Sequence, residues 1–439
     1  MRILKALSIL LLVTGVAFAA PTKIQVTMEG YAGDFGTIDQ ITTKLQAVID
    51  KGGIPADQME NTKWKLNYLK VLAGVTAAKG VTWEGLDWGW AEQLTQKEMN
   101  AFLAGSGPDV VIGETQMPGF AFNGYLLPFP DALAKKVRDT VLPGAYMPME
   151  VNGKIYGIAT YPGVNVLFWN KDLLKKAGLD PNKAPATWSE WLSMSQAITK
   201  AGKGAFYGGG TYAGANFGGS LRVGPFMMMA GGGFIGKDGK AAFNTPGNIK
   251  ALTFMRDLAK NSPPGAAGGA DEGGWWDALN QGKIAYVVDG PWRYQAGVAL
   301  GMNIGYSVLP VPDGGSPANV TIGAAFYGVP KYAKNPDAAF VFIESLIDKK
   351  VQDLIVANNN RPPVLKAYGN DSKFMSSYMA TFWKALNGNV TGLPTYPGNQ
   401  SAKIWDVFHQ AMTQAIVTNG DIKSILAAAQ SQAETYESQ

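Results

Sequence analysis

The stretch that decides the fold is YGIATYPGVNVLFWNKDLL, from Tyr156 to Leu174, followed by APATWSEW, from Ala184 to Trp191. Its apolar centre predicts a buried strand. Thr187 and Glu190 then form a capping box, in which each residue hydrogen-bonds toward the backbone of the other, so a helix is expected to begin there. The pair of segments therefore predicts a strand that leads through a loop into a helix.

Similar units precede this stretch. Ile24 to Met28 alternates apolar and polar residues, as a short strand does. A glycine-rich loop follows from Glu29 to Gly36, and then a helical pattern runs through Ile41, Leu45 and Ile49. Open α/β sheets bind their ligands at the carboxyl ends of strands, so this loop is a candidate binding segment.

Further units continue the pattern along the chain. Val110 to Ile112 predicts a buried strand, and Thr245-Pro246 and Asn335-Pro336 each predict the start of a helix, because proline fits the first helical position. Strands that alternate with helices predict the α/β class with largely parallel sheets.

The first twenty residues have the layout of a secretory signal peptide. Arg2 and Lys5 supply positive charge, an uncharged apolar stretch follows, and residues 17–20 read AFAA, a small-residue cleavage pattern. An uncleaved anchor helix is the alternative, but the apolar stretch is short for a membrane span. The chain contains no cysteine, so disulfides and a lipid-modified cysteine are not expected. The mature protein is therefore expected to be soluble, not lipid-anchored, and either periplasmic or secreted.

Length and composition limit the architecture and the partners. The 439 residues exceed one ordinary core, so two domains are expected. Without Arg2 and Lys5, 36 basic residues face 34 acidic ones, which gives no reason to expect nucleic acid as a partner. Abundant glycine (54) and tryptophan (12) suit a pocket built from loops and flat apolar rings.

The composition also weakens several classes of enzyme. His409 is the only histidine, and the chain lacks a Gly-x-Ser-x-Gly elbow, which disfavours a serine hydrolase triad. A zinc site needs several histidine or cysteine ligands, so no metal is expected. No cofactor and no catalytic residue are predicted.

Five motifs in a fixed order resemble family 1 of the bacterial extracellular solute-binding proteins. The first is the opening pair, with its aromatic-Asn-Lys-Asp step and its Thr-Trp helix start. The others are GPDVV at 107–111, GPFMMMAGGGFIGKDGKAAFN at 224–244, GKIAYVVDGPWRYQ at 282–295 and IGYSVLPVP at 304–312. The resemblance covers about Gly107 to Arg361. Residues 50–81 depart from the pattern, because this region is longer than expected by about one helix.

The resemblance implies a two-lobed periplasmic-binding-protein fold of type II, with discontinuous lobes around a ligand cleft. After the signal peptide at residues 1–20, one lobe is expected to comprise 21–160 and 313–365. The other is expected to comprise 161–312 and 366–439. The implied function is to bind a mono- or oligosaccharide and deliver it to the membrane permease subunits of an ABC importer. The protein is expected to be monomeric and to close about a hinge.

Sugars require aromatic surfaces for their C–H faces and fixed polar groups for their hydroxyls. Trp292, which follows a strand at Asp289-Gly290-Pro291, matches the family position that stacks on ligand. Glu114, Gln116, Arg222, Tyr396 and Trp405 are further positions suggested by the resemblance. The other candidates lie in strand-exit loops, at a lobe crossing or at a helix start: Glu29, Asp34, Asp87, Trp88, Trp90, Tyr161, Trp275, Trp276, Asp289 and Phe326.

Each candidate has a structural alternative. The aromatic residues would otherwise pack in a core, and the polar ones would otherwise cap helices. Only one of the adjacent Trp275 and Trp276 is expected to face the cleft, because neighbouring helical positions point in different directions.

Two other functions remain open from the sequence. A polyol or glycerol-phosphate-type ligand would use arginines such as Arg222, Arg293 and Arg361. A secreted glycosidase would need two carboxylates about 5 to 9 Å apart. Its candidates are Glu29, Asp34, Glu114 and Asp289.

Overall fold

The computed structural model describes residues 20–28, 36–89, 91–114, 116–160, 162–269, 273–293, 297, 301–322, 325–358, 361–396 and 400–438. Helices and strands are interleaved through these residues. The strands are β1 Thr22–Met28, β2 Gly36–Thr37, β3 Val81–Asp87, β4 Val111–Gly113, β5 Glu150–Val151, β6 Lys154–Ile155, β7 Gly157–Ala159, β8 Gly163–Val164, β9 Val166–Asn170, β10 Tyr207–Gly210, β11 Ile284–Asp289, β12 Ile304–Ser307, β13 Asn319–Ile322, β14 Phe326–Gly328 and β15 Val390–Thr391.

Helices surround these strands, and short 3₁₀ turns occur at Pro143–Ala145, Met147–Met149 and Lys366–Asn370. The α-helices are α1 Ile38–Lys51, α2 Ala56–Ala77, α3 Ala91–Ala104, α4 Met117–Phe122, α5 Asp131–Thr140, α6 Lys171–Lys176, α7 Trp188–Gly202, α8 Phe217–Met229, α9 Pro246–Ala259, α10 Gly273–Asn280, α11 Pro336–Leu346, α12 Lys349–Asn358, α13 Ser372–Met375, α14 Met379–Leu386, α15 Ser401–Val417 and α16 Ile422–Glu437.

Two neighbouring sheets carry the first strands of the chain. β1 pairs in parallel with β3, and β2 pairs antiparallel with β3. β14 lies between β4 and β7 and is antiparallel to both. A parallel bridge from Val26 to Val110 connects the two sheets. The carboxyl ends of β1 and β4 therefore meet at one edge.

A second region contains the four-stranded sheet β10-β11-β9-β12. β9 is the apolar strand of the opening motif, and Val166 to Trp169 is buried because side chains on both of its faces are covered. β11 and β12 are both antiparallel to β9, while β10 and β11 are parallel.

The expectation of largely parallel sheets is wrong for the described strands, because most of their pairings are antiparallel. β9 follows β8 directly along the chain without a crossover helix, and it runs against β10, β11 and β12, which share one direction.

The β15-β13-β8 sheet joins three distant segments of the chain. Asn319 donates from its side-chain nitrogen to the carbonyl of Asn165 at 2.8 Å, and the backbone N–H of Asn165 donates back to Asn319 Oδ1 at 3.3 Å. The four strands of the β10-β11-β9-β12 sheet all lie within 161–312. The lobe boundaries named above stay a prediction.

Local signals for helix starts correspond to observed contacts. Thr187 accepts from the backbone N–H of Glu190 at 3.3 Å, and Glu190 accepts from the N–H of Ala186 at 2.8 Å, one residue before the predicted donor. Thr245 accepts from the N–H of Asn248 at 3.1 Å. A cap of this kind contributes about 1 kcal/mol. Within the described part of the chain, no helix has both the length and the apolarity that a bilayer crossing requires.

Candidate ligand-binding cavity

A cavity of about 280 Å³ opens at the edge where β1 and β4 end, between helix α2 and the segment that follows β11. This volume is near the lower limit of small-molecule sites, about 300 Å³. The lining residues are Met28, Asn61, Trp64, Lys65, Tyr68, Leu69, Ile112, Thr160, Trp292, Ala325, Tyr327, Ile355 and Arg361. Aromatic rings and hydrogen-bonding side chains thus face one common cavity.

Among the predicted site residues that the structure describes, Trp292 lies in this lining. Its indole ring packs against the backbone of Gly290. A Cβ added at Gly290 would lie 2.2 Å from the ring atom Cη2 of Trp292. The indole therefore folds back over a position where only glycine leaves room. This contact gives a physical reason for the Asp-Gly-Pro-Trp sequence at the exit of β11.

Arg361, which follows α12, covers part of the Trp292 ring. Its guanidinium carbon lies 4.9 Å from the ring centroid, which is a cation–π distance. Arg361 thus joins the segment after α12 to the segment after β11 inside the cavity.

Asp289 is buried in an ion network and does not line the cavity. Its Oδ1 accepts from Arg222 at 2.9 Å and from the backbone N–H of Gly290 at 2.8 Å. Its Oδ2 accepts from Nε of Arg293 at 3.0 Å. Asp289 and Arg222 are 1% and 3% exposed, so this pair anchors the turn that carries Trp292.

Glu114 and Gln116 follow β4, close to the cavity but outside its lining. Gln116 Oε1 accepts from the backbone N–H of Glu114 at 3.0 Å, and its Nε2 donates to Oε2 of Glu98 at 3.4 Å. Burial raises the pKa of Glu114 to about 7, against the opposing effect of Arg361. Gln116 therefore ties the loop after β4 to helix α3.

Glu98 on α3 is fully buried behind this loop. Burial raises its pKa to about 8, and the hydrogen bond from Gln116 only partly opposes that effect. Its second carboxyl oxygen has no hydrogen-bond partner within the residues that the structure describes. Burial thus favours the protonated, uncharged form of Glu98, because an ionised carboxylate there would lack sufficient compensation.

Helix α2 supplies lining residues that were not predicted. Asn61, Trp64, Lys65 and Tyr68 recur at helical spacing on one face and all line the cavity. Trp64 stacks on Tyr68 with ring centroids 5.2 Å apart and donates from Nε1 to the carbonyl of Leu354 at 2.8 Å. The Trp-to-Tyr spacing of four residues was the available signal, but it lies in the region that departs from the family pattern.

Trp275 and Trp276 are both buried and neither lines the cavity, and their predicted role in ligand binding stays a prediction. Trp275 donates from its indole nitrogen to the carbonyl of Ala266 at 3.2 Å. Trp276 packs edge-on against Phe168 of β9, with centroids 5.3 Å apart. Both rings are covered by protein, while Gly274 and Asp277 occupy the exposed positions of the short α10.

Tyr396 and Trp405 lie in an aromatic core away from the cavity lining. Tyr396 donates from its hydroxyl to the carbonyl of Phe234 at 3.1 Å, and Trp405 donates to the carbonyl of Pro394 at 3.1 Å. Their centroids are 5.4 Å apart. Both polar atoms are thus used inside the protein.

The remaining candidates fall into two groups. Phe326 is buried in β14 between two residues that do line the cavity, Ala325 and Tyr327. Asp87 accepts from the backbone N–H of Gly89 at 2.7 Å, and Trp88 beside it is half-buried, but neither lines the cavity. Four candidates lie outside the described residues and stay predictions: Glu29, Asp34, Trp90 and Tyr161.

Another depression, of about 390 Å³, is an open groove between α15 and α16, lined by side chains such as Lys403, Gln410 and Tyr436. It lacks a tryptophan among its described lining residues. The described residues also contain no cluster of three or more acidic or histidine side chains suited to a metal ion. The cavity beside Trp292 is therefore the site with the better chemistry for a small organic ligand.

The model of one protein family, described as bacterial extracellular solute-binding protein, matches residues 67–353. A galactooligosaccharide-binding protein of Bacillus subtilis (strain 168) is 25% identical over 347 residues, which is 77% of this chain and 78% of that protein. An arabinooligosaccharide-binding protein of the same strain is 27% identical over 252 residues, 55% of this chain and 57% of its own length.

Solved structures show the same fold. The cyclic alpha-maltosyl-1,6-maltose binding protein from Arthrobacter globiformis superposes with a TM-score of 0.73 at 18% identity, covering 95% of this chain and 99% of that one. The sugar-binding protein MalE from Xanthomonas citri gives 0.71 at 19% identity, covering 95% and 98%. The predicted solute-binding-protein fold, of mixed helix and sheet, is confirmed.

Proposed function

Because the chain belongs to the bacterial extracellular solute-binding proteins, we propose that it binds a mono- or oligosaccharide in the cavity beside Trp292 and delivers it to the permease of an ABC importer. The names of the two Bacillus subtilis relatives, which bind galactooligosaccharides and arabinooligosaccharides, support a carbohydrate as the ligand.

The observation that carries this proposal is the composition of the cavity wall. Trp64, Tyr68 and Trp292 offer flat apolar surface, on which the C–H face of a sugar ring stacks. Asn61, Lys65 and Arg361 offer the donors and acceptors that buried hydroxyls require. The cavity wall thus offers the two kinds of surface that a sugar ring uses.

A role in binding rather than catalysis suits the carboxylate of Asp289, one of the four glycosidase candidates. A glycosidase needs one carboxylate placed to attack or activate water and one placed to donate a proton. Asp289 is held by Arg222 and Arg293 and is buried, so it is not placed to serve either step. The same contacts disfavour a phosphorylated ligand, because they direct two of the three candidate arginines toward Asp289.

Delivery requires that the importer distinguish the loaded protein from the empty one. We propose that ligand contacts with α2 on one side and with Trp292 on the other favour a closed arrangement, about a hinge at the β15-β13-β8 sheet. A ligand shifts such an equilibrium only through its differential affinity for the two states. Contacts from both sides of the cavity supply that difference.

Titration calorimetry against a panel of neutral mono- and oligosaccharides, with glycerol 3-phosphate included, tests the proposal. Wild-type protein is expected to bind at least one sugar with a micromolar or lower Kd and to leave it chemically intact. Trp292→Ala is expected to weaken that binding at least about tenfold, since aromatic contacts and the burial of a large ring contribute more than about 1.4 kcal/mol.

Trp405→Phe is the matched control, because it alters a tryptophan of the aromatic core and no cavity residue. It is expected to keep wild-type affinity. Absence of binding to every sugar, hydrolysis of a glycoside, or an unchanged Kd in a folded Trp292→Ala variant would each refute the proposed function.

A further inference from the structure

Helix α8 has a carbonyl group that receives its hydrogen bond from a distant side chain. The helix contains Pro225, and proline has no N–H. The carbonyl of Leu221, four residues earlier, therefore lacks its normal helical donor. Asn165 supplies a donor instead, because its Nδ2 donates to this carbonyl at 2.7 Å. Asn165 is fully buried, so α8 is attached here to a segment 56 positions away in the chain.

Asn165 is itself held in place. It lies between β8 and β9, where the chain passes from one sheet to another. The side-chain nitrogen of Asn319 donates to the carbonyl of Asn165 at 2.8 Å, and Asn319 Oδ1 accepts from the N–H of Asn165 at 3.3 Å. Both backbone polar groups of Asn165 thus have partners on β13. Asn165 therefore gives α8 a fixed point of attachment.

The residue after Leu221 reaches the turn that carries Trp292. Arg222 donates from Nη2 to Oδ1 of Asp289 at 2.9 Å. The same Oδ1 accepts from the backbone N–H of Gly290 at 2.8 Å, and the ring of Trp292 folds over Gly290. A displacement of Arg222 would therefore change how Asp289 holds this turn.

We infer that Asn165 is a positioning residue for sugar binding, because it fixes the turn of α8 that holds Asp289 and thereby keeps the Trp292 ring in the cavity wall. This inference rests on the proposed function. Asn165 does not line the cavity, so it acts on a ligand only through the residues between them. A ring that is already held in the stacking geometry binds more tightly than a loose one, since ordering it costs free energy on binding.

Removal of the Asn165 amide has two consequences that can be separated. It takes the donor away from the carbonyl of Leu221, which lowers the stability of the fold. It also releases α8 from the strand crossing, and residues that act on a site through intervening contacts change affinity by about twofold to thirtyfold. Pro225→Ala separates the two effects, because alanine provides the helical N–H for this carbonyl without restoring the attachment.

The experiment measures the urea midpoint of unfolding and, by calorimetry, the Kd for glucose, galactose, mannose and their disaccharides. The proteins are wild type, Asn165→Ala, Pro225→Ala and the double variant. Asn165→Ala is expected to raise the Kd of every bound sugar about fivefold or more and to lower the midpoint. In the double variant, the midpoint is expected to recover toward that of Pro225→Ala. Its Kd is expected to stay about fivefold above that of Pro225→Ala, whereas a merely structural role would restore both together.

Asn261→Ala is the matched control. Asn261 is also a buried amide whose Nδ2 donates to a helix carbonyl, that of Asp257 at 3.0 Å, and it does not line the cavity. Its replacement is expected to lower the urea midpoint and to leave every Kd within about twofold of wild type.

The outcomes distinguish this inference from the proposed function. If wild type binds sugars but Asn165→Ala keeps every Kd within about twofold, the inference is overturned and the proposed function stands. The same holds if the double variant recovers the Kd of Pro225→Ala together with its stability. If Asn165→Ala does not fold, the comparison of the double variant with Pro225→Ala decides alone. If wild type binds no sugar at all, both fail together.

Discussion

Replacing Glu98 by glutamine is expected to change how the stability of the protein depends on pH. Burial raises the pKa of Glu98 from its ordinary value of 4.5 to about 8 in the folded protein. A carboxyl group with a raised pKa in the folded protein makes its full contribution to the free energy of unfolding below pH 4.5. At such pH values the group is protonated in both the folded and the unfolded state. That contribution is lost as the pH rises toward 8, because only the unfolded chain then releases the proton.

The magnitude follows from the two pKa values. Each pH unit between 4.5 and about 8 lowers the free energy of unfolding by about 1.4 kcal/mol, so the full range corresponds to about 5 kcal/mol. Glutamine cannot ionise and can still accept the hydrogen bond from Gln116. The stability of Glu98→Gln relative to wild type is therefore expected to rise by about 3 kcal/mol between pH 5 and pH 7.

Urea denaturation followed by tryptophan fluorescence at several pH values from 5 to 9 measures this difference. Glu60→Gln is the matched control, because Glu60 is exposed on α2, and its curve is expected to stay parallel to that of wild type. If Glu98→Gln also stays parallel to wild type over the whole range, Glu98 is not held protonated in the folded protein and the buried position of its carboxyl group is refuted.

Two further substitutions give independent tests. Burial lowers the pKa of His409 from 6.5 to about 4. In this pH range the unfolded chain binds a proton at His409 and the folded protein does not. The free energy of unfolding of the wild type is therefore expected to fall by about 3 kcal/mol as the pH drops from 6.5 to 4. His409→Phe is expected to remove that acid-side loss in the same urea titrations, and an unchanged slope would contradict it. Gly290→Ala is expected to displace the Trp292 ring and weaken sugar binding in calorimetry about as much as Trp292→Ala, because the added methyl would meet the ring at 2.2 Å. Gly388→Ala, whose methyl meets nothing nearer than 3.6 Å, is its control, and wild-type affinity in Gly290→Ala would disprove the close approach.

The features that local sequence predicted correctly were those set by short-range physics. β1 and β9 followed from their apolar pattern, and α7 and α9 begin at the predicted threonine caps. Strand direction was not predictable in this way, because antiparallel pairing at β9 depends on how the chain returns from distant segments.

The candidate site shows the same division between local and distant information. Trp292 was recognisable because its turn carries a compact motif. Asp289 and Arg222 looked like ligand groups from sequence, but 67 positions separate them in the chain and only the fold shows that they pair with each other. The α2 face was missed because Trp64 and Lys65 resemble ordinary residues of an exposed helix until α12 and the cavity are placed beside them.

A crystal structure of the protein with the tightest-binding sugar of the panel tests the role of the cavity most directly. An ordered ring is expected in the space between α2 and Trp292, with one face against an indole and at least one hydroxyl within hydrogen-bond distance of Asn61, Lys65 or Arg361. A sugar bound elsewhere, for example in the groove between α15 and α16 while the cavity beside Trp292 holds only water, would contradict the proposed site.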